Sequence, residues 1–191
     1  LRRLRYTTNA SKELRLKLNA LSLLSLGRGE YDHTATTDLL EAMKEGYNQV
    51  IWTDHKEHKY IEESGTMNLM LLIDGTFLTP PLTDRILAGV TRRSIIQLVK
   101  DQGWSIEERA ITVDEIVSAA REGRLEEAFG MGTAAVVSQI DTIGYNGENF
   151  SIPVLSDGKA MEIKRLLNDI RLGRSEDSYG WMIDLPVSEI A

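Results

Sequence analysis

The sequence predicts a mixed α/β domain of the α+β kind, preceded by a basic segment of a different pattern. Strand-like apolar runs alternate with three amphipathic helix-like runs that end at glycines. Asp74-Gly75 and Asn146-Gly147 are strong two-residue hairpin signals between such runs. No segment repeats, so a solenoid or propeller is not indicated.

Residues 1–36 read as an atypical basic N-terminal segment, a helix or a poorly ordered stretch. Ser11 to Leu26 has the length of a helix, but its leucines spread around all sides, and Gly27-Arg28-Gly29 ends it. Its composition resembles a targeting presequence and is equally that of a surface helix, whereas a first residue of Leu favours a piece of a longer chain. From Thr37 the pattern becomes regular, and residues 37–191 read as the domain proper. Leu39, Leu40 and Met43 have the spacing of a buried helical face that ends at Gly46. Val50 to Thr53 reads as a buried strand, Asp54 to Lys59 as a turn, and Tyr60 to Glu63 and Thr66 to Ile73 as strands. Asp74-Gly75 turns the last of these into Thr76-Phe77-Leu78, and Pro80-Pro81 stops it.

A helix is expected from Thr91 to about Gly103, burying Ile95, Ile96, Leu98 and Val99, followed by a strand from Ser105 to Ile111. Thr112 and Glu115 form a capping box for the next helix, which closes at Gly123. Leu125 to Phe129 and Thr133 to Ser138 read as strands around a glycine-rich turn, and Ile140 to Tyr145 leads into the second hairpin. The last helix runs from Lys159 to Leu172, with Gly173 as its stop.

Composition narrows the chemistry. A hydrophobic fraction of 42% supports a core, and a net charge of −7 argues against a surface that binds nucleic acid through phosphates. The charge is uneven: residues 1–29 carry a net of +6, which leaves −13 on the remainder. Without cysteine, thiol catalysis, disulfides and cysteine zinc sites are excluded. His55 and His58 are flanked by lysines and have no evident third ligand, so no metal site is expected. No apolar run is long enough for a membrane helix.

Three short segments suggest ligand chemistry. Glu63, at the end of a strand and ahead of Gly65, could give a carboxylate to the ring nitrogen of a pyridinium cofactor, although a surface acid is the commoner role for such a glutamate. Gly89-Val90-Thr91 lies directly before a helix and offers backbone N–H donors to a phosphate, or an ordinary helix cap. Gly132-Thr133-Ala134 is a second small-residue turn with exposed amides, or simply a tight turn.

In order, and with their flanks, these pieces resemble the large domain of branched-chain amino-acid aminotransferases, pyridoxal-phosphate enzymes of fold-type IV. The matching runs are Gly46 to Trp52, His58 to Asn68 (with Glu-Glu-Ser-Gly-Thr-Met-Asn), Thr79 to Asp84, and Ile86 to Arg92. Glu127 to Ser138, Asp169 to Arg174 and Tyr179-Gly180-Trp181 complete them. The resemblance implies a largely antiparallel, barrel-like sheet with helices outside. It implies pyridoxal 5'-phosphate as cofactor and amino transfer from leucine, isoleucine or valine to 2-oxoglutarate. It pairs Glu63 with the ring nitrogen, sets Thr66 beside the ring and packs Leu87 on the ring face. The phosphate falls to Gly89, Val90, Thr91, Gly132 and Thr133. Thr133 and Ala134 would meet the substrate carboxylate, and Met67 would border its aliphatic side chain.

The chain departs from the family pattern in places. Ala88 stands where proline is usual and Met131 where Thr or Ser is usual, and Ala135 and Ser138 exclude a redox-switched variant. The family's Schiff-base lysine belongs in the region that here reads Ser25 to His33, where no lysine occurs. Arg28 cannot replace it, because a guanidinium stays protonated. A counterpart of the family's small N-terminal domain is also absent from the sequence given. The expectation is therefore an aminotransferase of this family, a homodimer or larger and cytoplasmic, that is inactive as written. A non-catalytic homologue that keeps the domain for cofactor binding or dimerisation is the alternative. D-amino-acid transaminases and aminodeoxychorismate lyases, which share the fold, are more distant ones.

Overall fold

The computed structural model describes residues 4–8 and 33–183. Its strands are β1 (Leu4–Thr8), β2 (Gln49–Thr53), β3 (Ile61–Ser64), β4 (Met67–Ile73), β5 (Thr76–Thr79), β6 (Ile106–Glu108), β7 (Leu125–Gly132), β8 (Val136–Tyr145) and β9 (Glu148–Ser151). Its helices are α1 (His33–Lys44), α2 (Val90–Asp101), α3 (Val113–Arg121) and α4 (Lys159–Arg171).

Pairing runs from β3 through β2, β1, β8, β7 and β4 and back to β3, so six strands close into a ring. β5 and β6 branch outward from β4, and β9 branches from β8. All neighbours are antiparallel except β5 and β6. The expected barrel-like, largely antiparallel sheet with outer helices is thus the fold.

β4 shows why the sheet needs cover on both faces. Its run Met67-Asn68-Leu69-Met70-Leu71-Leu72-Ile73 is nearly all apolar, the pattern of a strand buried front and back. Leu69, Leu71 and Ile73 point into the ring with Ile51, Ile61, Ile140 and Ile143, and Ile116 of α3 packs on the same cluster. Met70 and Leu72 face the other way, onto Phe77, Phe129, and Ile95 and Val99 of α2, with Ile163 and Leu167 of α4. Each fully buried side chain of this size contributes about 1.5–3 kcal/mol. Both hairpin signals form as read: Asp74 and Gly75 have φ of 49° and 72°, and Asn146 and Gly147 of 52° and 78°. Those values at both central positions define the turn type that suits the strand twist.

Several expectations shift. α1 begins at His33 rather than Thr37, and among its residues whose burial is described Ala42 is the buried one, while Leu40 and Met43 stay exposed. The apolar spacing was real, but it lies one position off the face that packs. The strand expected over Ser105 to Ile111 shortens to β6, which pairs only with β5. β7 continues through Gly132, so the turn is Thr133-Ala134-Ala135 and the glycines lie inside the strand. Leu4–Thr8, within the basic N-terminal segment, forms β1 between β2 and β8. The helix expected over Ser11 to Leu26 falls outside the described residues.

Candidate cofactor site

β3 and β4 pair Glu63 with Asn68, and β4 and β7 pair Asn68 with Met131. Strand alternation puts these three side chains in one row on one face, that of the cluster shared with α2. The loop from Pro80 to Gly89 crosses this row before α2 begins. The Leu87 N–H donates to Glu63 Oε1 at 2.8 Å, and Arg85 holds the neighbouring Glu62 at 2.6 Å. Two adjacent carboxylates therefore tie the loop down, one through a backbone amide and the other through a guanidinium.

Glu63 is half-buried, and the partners it has among the described residues, the Leu87 amide and the Asn68 side chain, carry no charge. Burial pushes its carboxyl above the ordinary glutamate range, the Leu87 N–H opposes that rise, and the charge of Glu62 adds to it. Such a group gains from any cation placed against it.

The helix starts differ in a way that matters. The Thr112 side chain accepts from the Glu115 N–H and caps α3. The buried Glu127 carboxylate accepts from the N–H groups of Lys159 (2.8 Å) and Ala160 (3.0 Å) at the start of α4. At α2 the cap is Gly89, which has no side chain to give, and no side chain caps its first N–H groups. Leu87 and Val90, 71% and 68% exposed, hold apolar side chains in the open on either side of Gly89.

The second small-residue turn meets the first hairpin at the rim of the ring. Asn68 pairs with Met131; Thr66 lies in the turn just before β4 and Thr133 in the turn just after β7. Both are exposed. The turn is tight: Val137 N–H bonds Ala135 O at 2.7 Å around Val136, whose φ is 62°. That is a strained conformation for a β-branched residue.

Hydrogen bonds join Glu63, Leu87 and Gly89; Val90 and Thr91 follow directly as the first residues of α2, and Thr66, Gly132, Thr133 and Ala134 lie in or beside the turns at the ends of β4 and β7. Met67 behaves differently. It pairs with Ser64, and its side chain lies over Gly130 and Gly132, where added Cβ atoms would come within 2.7 and 3.0 Å of it. Alternation puts it on the face opposite Glu63. Sequence reasoning included Asn68 in the motif but gave it no role of its own. It also passed over Arg92, which is buried, bonds Pro80 O (2.9 Å) and Glu108 (2.8 Å), and keeps an unpartnered Nε–H among the described residues. A polar residue inside an apolar strand, and an arginine on the buried face of a helix, were the available signals. Among the described residues no cluster of His, Asp and Glu could hold a metal ion, and no helix is long and apolar enough to cross a membrane.

The closed sheet has a family counterpart. Residues 33–143, more than half the chain, match the family model described as amino-transferase class IV, and the chain belongs to that family. Within the family it is similar to a probable branched-chain-amino-acid aminotransferase of Staphylococcus epidermidis, 42% identical over 146 residues, which cover 76% of this chain and 41% of that protein. Among solved structures it resembles the branched-chain aminotransferase of the thermophilic archaeon Thermoproteus uzoniensis, determined with norvaline, at TM-score 0.61 and 28% identity over 78% of this chain and 46% of that one. The Escherichia coli branched-chain amino acid aminotransferase gives TM-score 0.61 and 28% identity, over 76% and 45%. The chain spans about two fifths of the length of the curated relatives it matches.

Proposed function

We propose that residues 37–191 are the pyridoxal-phosphate-binding part of a branched-chain amino-acid aminotransferase, and that residues 1–36 are an atypical N-terminal segment. The observation that carries this reading is Glu63: a half-buried carboxylate with neutral partners, bonded to the loop that opens the uncapped helix α2. One place thus calls for a cation and a neighbouring one for an anion, as a ligand with a protonated ring nitrogen and a phosphate would supply. When bound, pyridoxal phosphate supplies an electron sink for amino transfer. Glu63 would hold the proton at the ring nitrogen. Leu87 and Thr66 would flank the ring and exclude water from it. The N–H groups of Val90 and Thr91, with Gly89, Gly132 and Thr133, would bind the phosphate. Thr133 and Ala134 would orient the carboxylate of the amino acid, and Met67 would border its aliphatic side chain from the far face of the rim.

The whole protein would pass the amino group of leucine, isoleucine or valine to 2-oxoglutarate, as a homodimer or larger assembly in the cytoplasm. The chain as given is proposed to bind cofactor without turnover, because Ser25 to His33 offers no lysine. That absence also motivates a second reading, a homologue that keeps the domain only for cofactor binding or dimerisation. The test is to titrate the chain with pyridoxal phosphate, follow its absorbance, reduce with borohydride, map any modified residue and assay leucine with 2-oxoglutarate. Saturable binding that dialysis reverses, with no single-lysine adduct and no transamination, is expected. Absence of saturable binding overturns the cofactor reading. An adduct on one lysine together with turnover overturns the inactivity and the second reading.

A further inference from the structure

Asn68 is 6% exposed, and its side chain joins parts of the site that lie far apart in sequence. Its amide nitrogen donates to Glu63 Oε1 at 3.2 Å and to Leu87 O at 2.9 Å. Both partners are acceptors, so the nitrogen must face them and the amide oxygen must face away. That oxygen points at Gly89, where an added Cβ would come within 2.3 Å of it. Leu87 closes the circuit: its N–H bonds Glu63 Oε1 at 2.8 Å, and its carbonyl also accepts from Gly89 N–H at 2.8 Å.

We propose that Asn68 is a positioning residue of the cofactor site, locking the Glu63 carboxylate and the Leu87–Gly89 turn into one unit so that the ring-nitrogen and phosphate subsites keep a fixed separation. The proposal rests on the cofactor reading given above. Two consequences follow from the geometry. Without the Asn68 donor, Glu63 keeps one hydrogen bond to its charged form instead of two and holds its proton more tightly. Gly89 is glycine because Asn68 presses on it, so a side chain there does harm only while Asn68 is present.

The experiment compares the full chain with Asn68→Ala, Gly89→Ala and the double variant. It measures affinity for pyridoxal phosphate and for pyridoxal by absorbance titration, and the Glu63 carboxyl titration by carbon NMR of the apo chain. Asn68→Ala should weaken pyridoxal phosphate about tenfold or more. It should also reduce the preference for pyridoxal phosphate over pyridoxal and move the Glu63 midpoint upward. Gly89→Ala should weaken binding in the parent chain and add no further loss in the Asn68→Ala background, since the clash is gone. If Asn68→Ala does not fold, Asn68→Leu, which keeps about the same size and loses the donor without adding a charge, should give the same losses and the same upward shift. An unchanged preference with an unchanged Glu63 midpoint overturns the proposal, as do Gly89 and Asn68 losses that simply multiply. If the parent chain binds neither probe, the cofactor reading falls and the proposal falls with it. If the parent binds and the Asn68 pattern is missing, only the proposal falls.

Discussion

Asp54 and Glu63 bracket the same short stretch of chain, and their surroundings drive them in opposite directions. Burial alone would raise the Asp54 carboxyl, but the N–H groups of Glu57, Tyr60, Lys59 and Lys56 outweigh it and hold Asp54 well below the usual carboxylate range. Three of those bonds are 2.7–2.8 Å long and fold the 54–60 turn around the carboxylate. Its stabilising effect is present above the unfolded pKa and is lost only as the pH falls below that value. Glu63 runs the other way. A raised folded pKa favours the protonated form, so its contribution is present in acid and is lost as the pH rises through the folded value. Glu63→Gln imitates the protonated state. It should raise the melting temperature of the apo chain at neutral pH, with the gap closing toward and below the unfolded glutamate pKa, and it should cost pyridoxal-phosphate affinity. Melting curves across pH check the first, and the absorbance titration checks the second. A site residue that weakens the empty fold is the expected sign of binding function held against stability.

Among the elements, the starts of α2, α3 and α4 differ in what caps them. Glu127 serves α4 with both carboxylate oxygens, so Glu127→Gln, which turns an NH2 group toward one of those N–H donors, should destabilise the chain by about 1–2 kcal/mol in urea unfolding. The capping box of α3 was legible in the sequence because its parts are three residues apart, as were both hairpins, whose turn residues are adjacent. Glu127 as the cap of α4 was not, since 32 residues separate it from Lys159. The same limit explains the misplaced end of β7. Gly130 and Gly132 look like turn residues along the chain, but Met67, brought across from β4, occupies the space where their side chains would be. In the candidate site, Glu63, Gly89, Val90 and Thr91 could be proposed from local motifs, whereas the contacts of Asn68 could not, because they form only once β3, β4 and the Leu87 loop meet.

For the whole molecule, the closure of the ring depends on β1, which the sequence alone gave no reason to place in the domain. Tyr6 pairs with Gln49 on one side and Ile143 on the other. Proline has no N–H and belongs at sheet edges, so Tyr6→Pro should cost roughly 3 kcal/mol in urea unfolding, detectable as a lowered midpoint. Closure has a further effect on how copies of the chain can meet. With six strands each paired on both sides, the strands with a neighbour on one side alone among the described residues are the outer branches β6 and β9. β6 is three residues long and carries Glu107 and Glu108, and β9 is four residues long and starts with Glu148. Short acidic edges are poor templates for a neighbouring strand. Among the described residues, the sheet therefore offers a second copy of the chain no long apolar edge to extend.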